Sequence, residues 1–516
     1  MHLTPVLTPL QAAEWDAAAA ASGRALETLM DAAGRAVAQV VIERFARPAG
    51  QGVLVACGSG NNGGDGWVAA RALHALGVSV WVTETAAPHA GIAATARDQA
   101  LADGVRTVPH DGPWPTVALV IDAILGTGAR GPLREPIPEL LARLIDLELP
   151  IVAIDGPTGL DLETGLPHGP ILATLTITFG GVRRGHLLAR DESGEIVVVD
   201  IGLGHADASL PRLVDRGWAA DRLVGLAARS HKGIRGRVVI VGGDTTMTGA
   251  ARLVARAAFG AGAGLVHVIA PAESIAVLRT AEPDVQTLEQ EFTGSLSTDA
   301  IERINAADVV IIGPGLGRAD GRTAFVLQVL THARAAVIDA DALFALKGSV
   351  AALAELAGSR AFVCTPHLGE FRTLFPEFAD DLETAPWEAA QNATLASHCA
   401  VLLKGVPTVV ACESHPLLTV AAGNPGLATG GSGDVLSGII GALLGQGIVL
   451  PDAAAMAAQA LGEAADIAAR RVTARAMRPM DVVAALPDIW RAWARHRESQ
   501  MPHAPVLLSL AAPQST

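Results

Sequence analysis

Between Asn424 and Asp434 the chain places four glycines (Gly426, Gly430, Gly431 and Gly433) ahead of a single acid. A helical pattern begins at once, with apolar pairs at 435/436, 439/440 and 443/444. Pairs that recur about every four residues put an apolar face on a helix. The intervening Ser437, Gly438, Gly441 and Ala442 are small, so the other side also suits close packing. A glycine loop that opens into a helix presents unpaired backbone N–H groups and the positive end of the helix dipole, which suits phosphate. An acid at that point repels an anion unless it serves the reaction, for example by taking the proton of an attacking hydroxyl. The stretch therefore predicts phosphoryl transfer to an alcohol, with Asp434 as base.

Such a helix needs a sheet to pack on, and the composition supplies one. The chain is 50% hydrophobic but only 3% aromatic, with no tyrosine. Ala, Val, Leu and Gly suit α/β layers joined by tight loops. Its 516 residues accommodate two or three domains. A net charge of −14 argues against a nucleic-acid or anionic-membrane surface, though not against a local basic pocket. Cys57, Cys364, Cys399 and Cys412 are scattered and include no C-x-x-C pair, so buried reduced thiols are expected rather than disulfides or zinc. The N-terminus has no basic-then-apolar signal pattern, and no run of about 18 apolar residues occurs. These features predict a cytoplasmic protein acting on small molecules. Ala-rich helices in both halves offer interfaces for a homo-oligomer.

Residues 9–46 read as helical. Strand–helix alternation follows, with strands at 53–56, 78–83, 117–121, 151–154, 171–179 and 196–199 and a helix at about 64–76. Mixed charge without period at 205–231 predicts an inter-domain linker. A second series begins at 237–241 and continues through 265–270, 309–312, 336–338, 361–364, 401–403 and 408–411. Helices are expected at about 247–260, 321–333, 384–397 and 452–471. The expected division is 1–210, 211–500 and a loose Pro-, Ala- and Ser-rich tail at 501–516.

In the first half, Gly58, Gly60 and Gly63 form G-x-G-x-x-G between a strand and a helix, and Glu84 lies about 20 residues on. By spacing this is a dinucleotide fingerprint. Electrostatics oppose it, because Asp65 falls in the first helical turn where a pyrophosphate would rest. Asn61 and Asn62 add amide side chains where the fingerprint needs bare backbone. Amides and an acid suit a neutral or cationic group, or a metal ion. Asp122 and the loop to Gly128 follow the strand at 117–121, and 155–159 follows the strand at 151–154. Strand C-termini of a doubly wound sheet meet in one crevice. Asn62, Asp122 and Thr158 could then converge as hard oxygen ligands, leaving Asp155 as an acid/base. Any one of these residues taken alone reads better as a helix or turn cap; three at successive strand ends do not.

The motifs Cys-Gly-x-Gly-Asn-Asn-Gly-Gly-Asp-Gly at 57–66, Asp-Ala-x-Leu-Gly-Thr-Gly at 122–128 and Asp-x-Pro-Thr-Gly-Leu-Asp at 155–161 resemble the NAD(P)H-hydrate epimerase domain. The resemblance implies a Rossmann-like doubly wound sheet that interconverts the two C6 epimers of hydrated NADH or NADPH. It implies substrate contacts at Asn61, Asn62, Gly63, Gly64 and Asp65 and at Gly126, Thr127, Gly128, Ala129, Arg130, Gly131 and Pro132. Asp155 would act on the substrate, and Asn62, Asp122 and Thr158 would hold a potassium ion. Gly156 stands where the family usually has a bulky aliphatic residue, loosening the backbone beside Asp155. Thr158 replaces a usual Ser and keeps the hydroxyl.

The second half resembles the ADP- or ATP-dependent NAD(P)H-hydrate dehydratases, which are ribokinase-like α/β domains. Besides the 423–446 stretch, the match runs through 231–236, 241–243, 261–266, 313–317, 339–343, 365–370 and 404–408. It implies nucleotide contacts at Lys404, Gly405, Val406, Pro407, Thr408, Asn424, Gly430, Gly431 and Gly433. The hydrate would lie near Ala258, Gly315, His367 and Asp434, with ADP as phosphoryl donor and Mg2+ as cofactor. His367 reads equally as a strand-end side chain that packs and hydrogen-bonds. Asp339 and Asp341 read as metal ligands or turn caps. The chemistry is coherent: hydroxide leaves poorly because water has a pKa of about 15.7, whereas phosphate, with a second pKa of about 6, leaves readily. Two alternatives remain at this stage. One is a vitamin or sugar kinase of the same fold with a ligand-binding N-terminal module; the other is an N-terminal half that serves only as a scaffold.

Overall fold

The computed structural model describes residues 3–88, 90–170, 172–226, 229, 231–358, 360–498 and 506–511. It divides into two compact units whose boundary falls between Pro211 and Arg212, with 506–511 belonging to the first. Both are α/β with mainly parallel sheets.

In the first unit the strand Val53–Cys57 is paired in parallel on one side with Val80–Glu84 and on the other with Leu119–Ala123. Ile151–Ile154, Leu175–Phe179 and Glu195–Val199 extend the sheet in parallel beyond Leu119–Ala123. These strands are almost wholly buried, which is why they read as continuous apolar runs rather than alternating ones. One face is covered by Leu26–Ala49 and Asn61–Ala75, with Val37, Val41, Trp67 and Leu73 in its core. The other is covered by Ile137–Ile145 through Leu140, Leu141 and Leu144. Strand order reverses between Val53–Cys57 and Leu119–Ala123, so the loops leaving them face one another. Gly58 makes this possible: a Cβ there would lie 2.0 Å from the carbonyl oxygen of Ile124. A crevice at a strand-order reversal is where open α/β sheets bind ligands.

In the second unit, the strands run Gln286–Glu289, Leu265–Ala270, Arg237–Val241, Val309–Ile312, Ala335–Ile338, Ala361–Cys364 and Ala400–Leu403 across a parallel sheet. Thr408–Ala411 and Leu418–Val420 add antiparallel strands. The helix Ser432–Gly445 lies against Thr248–Gly260. A Cβ on Gly438 would meet the carbonyl oxygen of Val254 at 2.5 Å, so this glycine permits the close crossing.

Four expectations need correction. The segment 205–231 is not simply a linker: Arg212–Leu213 pairs with Leu418–Val420, and Arg216–Arg222 is a helix capped by Asp215, with Trp218 buried. Its lack of period reflects a helix too short to show one. Part of the loose tail is ordered, because Val506–Leu510 pairs antiparallel with the otherwise open edge at Glu195–Val199; the other tail residues except 511 lie outside the described set. The stretch 9–46 is two helices, Pro9–Ala21 and Leu26–Ala49, the first held by a Thr8–Gln11 capping box. The strand expected at 171–179 is Leu175–Phe179, and residue 171 lies outside the described set. Cys57, Cys364 and Cys399 are buried free thiols, and Cys412 is half-buried. Among the described residues, no helix is long and apolar enough to cross a membrane.

Candidate functional site

The crevice of the first unit opens into a cavity of about 1030 Å³ lined by Asp16, Asn62, Asp65, Thr127, Asp155 and Arg183 among others. Asp155 leaves its strand with φ 64°, in the left-handed region, which Asp tolerates better than most residues. Its Oδ2 accepts from the Thr127 amide at 2.6 Å and from the Thr127 hydroxyl. Its Oδ1 accepts from Arg183 Nη2 at 3.1 Å. Arg183 is itself anchored: Nη1 donates to the Gly181 carbonyl at 2.8 Å, Nε donates to Thr127 Oγ1 at 3.0 Å, and its backbone stands in register with Leu7 of the Thr4–Leu7 strand.

This arrangement separates the acids. Burial alone would raise the Asp155 pKa, but the Arg183 guanidinium and the Thr127 hydrogen bonds outweigh it and hold the carboxyl below its ordinary value. Asp65 lies well above the ordinary value, because of burial first and then the nearby charges of Asp155 and Asp16. Asp16 is also raised by burial, against the pull of Arg183. Acids whose pKa values are pushed apart in this way suit opposite roles in proton transfer.

Asp122 and Thr158 meet. The Thr158 hydroxyl and amide both donate to the Asp122 carboxylate at 2.7 Å, and Thr158 Oγ1 accepts from the Leu125 amide at 3.0 Å. Burial pushes the Asp122 carboxyl up to about 6 against these bonds. The Asn62 amide is buried with neither polar atom bonded. It packs at Gly126, where a Cβ would lie 3.1 Å from Asn62 Oδ1 and 2.8 Å from Asp155 Oδ2. Of the remaining expected contacts, Gly63 closes on Gly58, where a Cβ would lie 1.9 Å from the Gly58 carbonyl oxygen. Arg130 pairs with Glu163 at 2.8 Å.

In the second unit, Gly431 (φ 97°) precedes the helix Ser432–Gly445, which places Asp434 in its first turn. Burial pushes the Asp434 carboxyl up to about 7, with Asp339, Asp341 and Glu370 adding to the rise and Lys404 opposing it. Lys404 Nζ is bonded to Asp339 Oδ1 at 2.9 Å and lies 3.6 Å from Glu370. The Ser437 hydroxyl donates to Asp339 Oδ2 at 2.7 Å. A Cβ on Gly433 would come within 3.3 Å of Lys404 Nζ. Lys404 is thus the counter-ion of a buried acid at the mouth of the glycine loop rather than a solvated charge. Burial would depress its pKa, and Asp339 and Glu370 more than reverse that.

His367 begins the helix Leu368–Leu374. Its Nδ1 accepts from the Gly369 and Glu370 amides at 3.0 and 3.3 Å, leaving Nε2 to carry the proton. Asp341 accepts from the Gly317 amide at 3.0 Å and from Arg318 at 2.8 Å, and Asp339 is committed to Lys404 and Ser437. Asn424 is mostly internal, accepting from the Gly426 amide and donating to Asp466. Ala258 is fully buried in the crossing with Gly438. Gly315 (φ 60°) sits over the Met247 carbonyl, and Val406 is exposed.

Sequence reasoning missed Arg183, Asp16, His186 and Glu370. A signal existed for Arg183: an arginine pair directly after a buried strand, at the end where the other loops converge. Asp16 gave none, because its helix has little amphipathic contrast.

The family model described as YjeF-related protein N-terminus matches residues 26–185. That described as NAD(P)H-hydrate dehydratase matches 238–488. The chain is 40% identical over 476 residues to the bifunctional NAD(P)H-hydrate repair enzyme Nnr of Escherichia coli (strain K12), covering 90% of each. It is 36% identical over 490 residues to the protein of that name from Moorella thermoacetica, covering 90% of this chain and 92% of that one. It is 33% identical over 485 residues to that from Coxiella burnetii, covering 92% and 96%. Two acid sites on two α/β units, together with this likeness along nearly the whole length, place the chain in the family of bifunctional NAD(P)H-hydrate repair enzymes.

Proposed function

We propose that this protein repairs NADH and NADPH hydrated at C6 of the nicotinamide ring. The first unit interconverts the two C6 epimers, and the second removes the hydroxyl from the S epimer at the expense of ADP. The observation that carries the reading is Asp434: an acid poised near neutrality in the first turn of a glycine-fed helix, beside a buried Lys404–Asp339 pair. Asp434 takes the proton of the C6 hydroxyl as that oxygen attacks the transferring phosphoryl group. Backbone N–H groups of Gly430, Gly431 and Gly433 and the cation of Lys404 stabilise the moving charge. The ring nitrogen lone pair then expels phosphate, and loss of a C5 proton restores the dihydropyridine. Mg2+ bound with the nucleotide would supply charge neutralisation on the phosphates.

In the first unit, Asp155, whose carboxyl Arg183 and Thr127 hold below its ordinary pKa, serves as the base toward the substrate, and Asp65, pushed up by burial, as the hydrogen-bond donor. C6 carries both the hydroxyl and the ring nitrogen. As the hydroxyl proton passes to Asp155, the C6–N electron pair returns to the ring nitrogen, which takes a proton, giving an aldehyde; attack of that nitrogen on the other face of the aldehyde, with the protons returned, inverts the centre. The donor set fits potassium: Asn62 offers an unbonded buried oxygen, and Asp122 is a buried carboxylate with no cationic side chain bonded to it among the described residues. The ion would supply the charge that keeps Asp122 ionised.

The test is incubation of the purified full chain with a mixture of both NADH hydrates, Mg2+ and either ADP or ATP, following recovery of the reduced nicotinamide absorbance. Complete recovery with ADP is expected. No recovery by folded protein overturns the reading; recovery of the S portion alone overturns the role of the first unit.

A further inference from the structure

We propose that His186 is a positioning residue of the first unit's site, holding the backbones of Asp155 and Arg183 in register, and that Gly156 provides the room it needs. The inference rests on reading that site as an epimerase.

His186 has no exposed surface. Its Nδ1 accepts from the amide of Arg183 at 3.2 Å, so the ring proton sits on Nε2. Burial first, and then the charge of Arg183, push the ring pKa down to about 3, so the imidazole stays neutral and acts as a fixed dipole. Nε2 stands against the turn that Asp155 begins, 3.1 Å from where a Cβ on Gly156 would lie, and the Asp155 backbone favours its proton. A single ring therefore spans the backbones of the two residues whose side chains form the buried pair at 3.1 Å. Asp155 needs such support, because a left-handed backbone outside glycine persists only where its surroundings over-determine it.

Gly156 is the complement of this ring. A Cβ there would lie 2.8 Å from both methyl carbons of Leu162 and 3.1 Å from His186 Nε2. The ring cannot retreat, because a Cβ on Gly185 would lie 2.5 Å from Leu162 Cα, so the backbone carrying His186 is already pressed against that residue. The volume that an aliphatic side chain at 156 would fill is taken by His186 and Leu162. The glycine does not leave Asp155 loose; it lets a rigid polar ring stand behind it.

The test uses the full chain without nucleotide, separating the two hydrate epimers and measuring their interconversion, with dehydration of the S epimer as the control for folding. His186→Leu is expected to lower kcat for epimerisation by about tenfold or more, since small misplacements of a reacting group are that costly. KM and dehydration should be unchanged. His186→Gln, which keeps an N–H near the Nε2 position, should recover most of the loss. Gly156→Val alone should be similarly damaging, yet less so in a His186→Ala background, where the share of the volume taken by the imidazole is free. Wild-type kcat in His186→Leu, or independent effects of Gly156→Val and His186→Ala, overturns the proposal. Absence of epimerisation by the unaltered protein overturns the underlying reading and the positioning role with it.

Discussion

Replacing Asp434 with Asn separates what this acid costs the fold from what it does in the reaction. Its folded value of about 7 lies above the ordinary 3.8, and the first cause is burial. Ionising it therefore opposes folding. Its contribution to stability is complete below about 3.8 and is lost as pH rises through about 7. Linkage between those two values gives a loss of about 2 to 3 kcal/mol between pH 5 and pH 8. That figure is an upper bound, because Asp434 is half-buried and solvent screens part of the penalty. Asn is nearly isosteric and does not titrate, so the variant should gain on the wild type as pH rises. Thermal unfolding at several pH values checks this. The melting temperature of Asp434→Asn should exceed the wild-type value by at most about 5 °C at pH 8, with the gap narrowing as pH falls and closing near the ordinary carboxylate pKa of about 4. Dehydration should be lost while ADP still binds. Parallel melting curves across this range would refute the buried-acid account, and wild-type turnover would remove Asp434 from the role of base.

Asp155→Ala should abolish epimerisation and leave dehydration of the S epimer within about twofold, as expected for catalytic groups on separate units; equal loss of both activities in a folded protein contradicts that division. Lys404→Met leaves Asp339 buried without its cation, so unfolding measurements should show a loss of about 3 kcal/mol. Because Lys404 lowers the Asp434 pKa, any residual dehydration should have its acidic limb moved to higher pH. Thr158→Val removes a donor to Asp122 and strands the Leu125 amide, costing about 1 to 3 kcal/mol. If potassium binds as proposed, Thr158→Val should also abolish its stimulation of epimerisation, whereas Thr158→Ser keeps both bonds and should retain it.

The parts of the fold legible in the sequence were those with strong local signals. Buried parallel strands such as Val53–Cys57 and Val309–Ile312 are unbroken apolar runs, and the helix Ser432–Gly445 declares itself by its apolar pairs and the glycines before it. Elements without such signals were hidden. The strand Gln286–Glu289 is polar and lies at a sheet edge, and Arg216–Arg222 is shorter than the two turns a period needs. In the sites, Asp122, Asp155, Thr158 and Asp434 could be named because each sits at or just beyond the C-terminal end of a strand or opens a helix. What spacing cannot disclose is which groups these acids meet across long stretches of chain. Arg183 beside Asp155, and Lys404 between Asp339 and Glu370, exist only in three dimensions, and they decide which acid is ionised. Gly156 shows the limit most clearly: in sequence it is a gap beside Asp155, and in space the gap is filled by His186 and Leu162.

The central claim is that phosphate on the C6 oxygen is a leaving group and not a product. The direct measurement is stoichiometry in a single reaction of the full chain with S-hydrate, ADP and Mg2+, counting reduced nicotinamide regained, AMP formed and inorganic phosphate released. The three should rise together in equal amounts. AMP accumulating with a stable phosphate ester, and no inorganic phosphate, would contradict the account and identify an ordinary kinase.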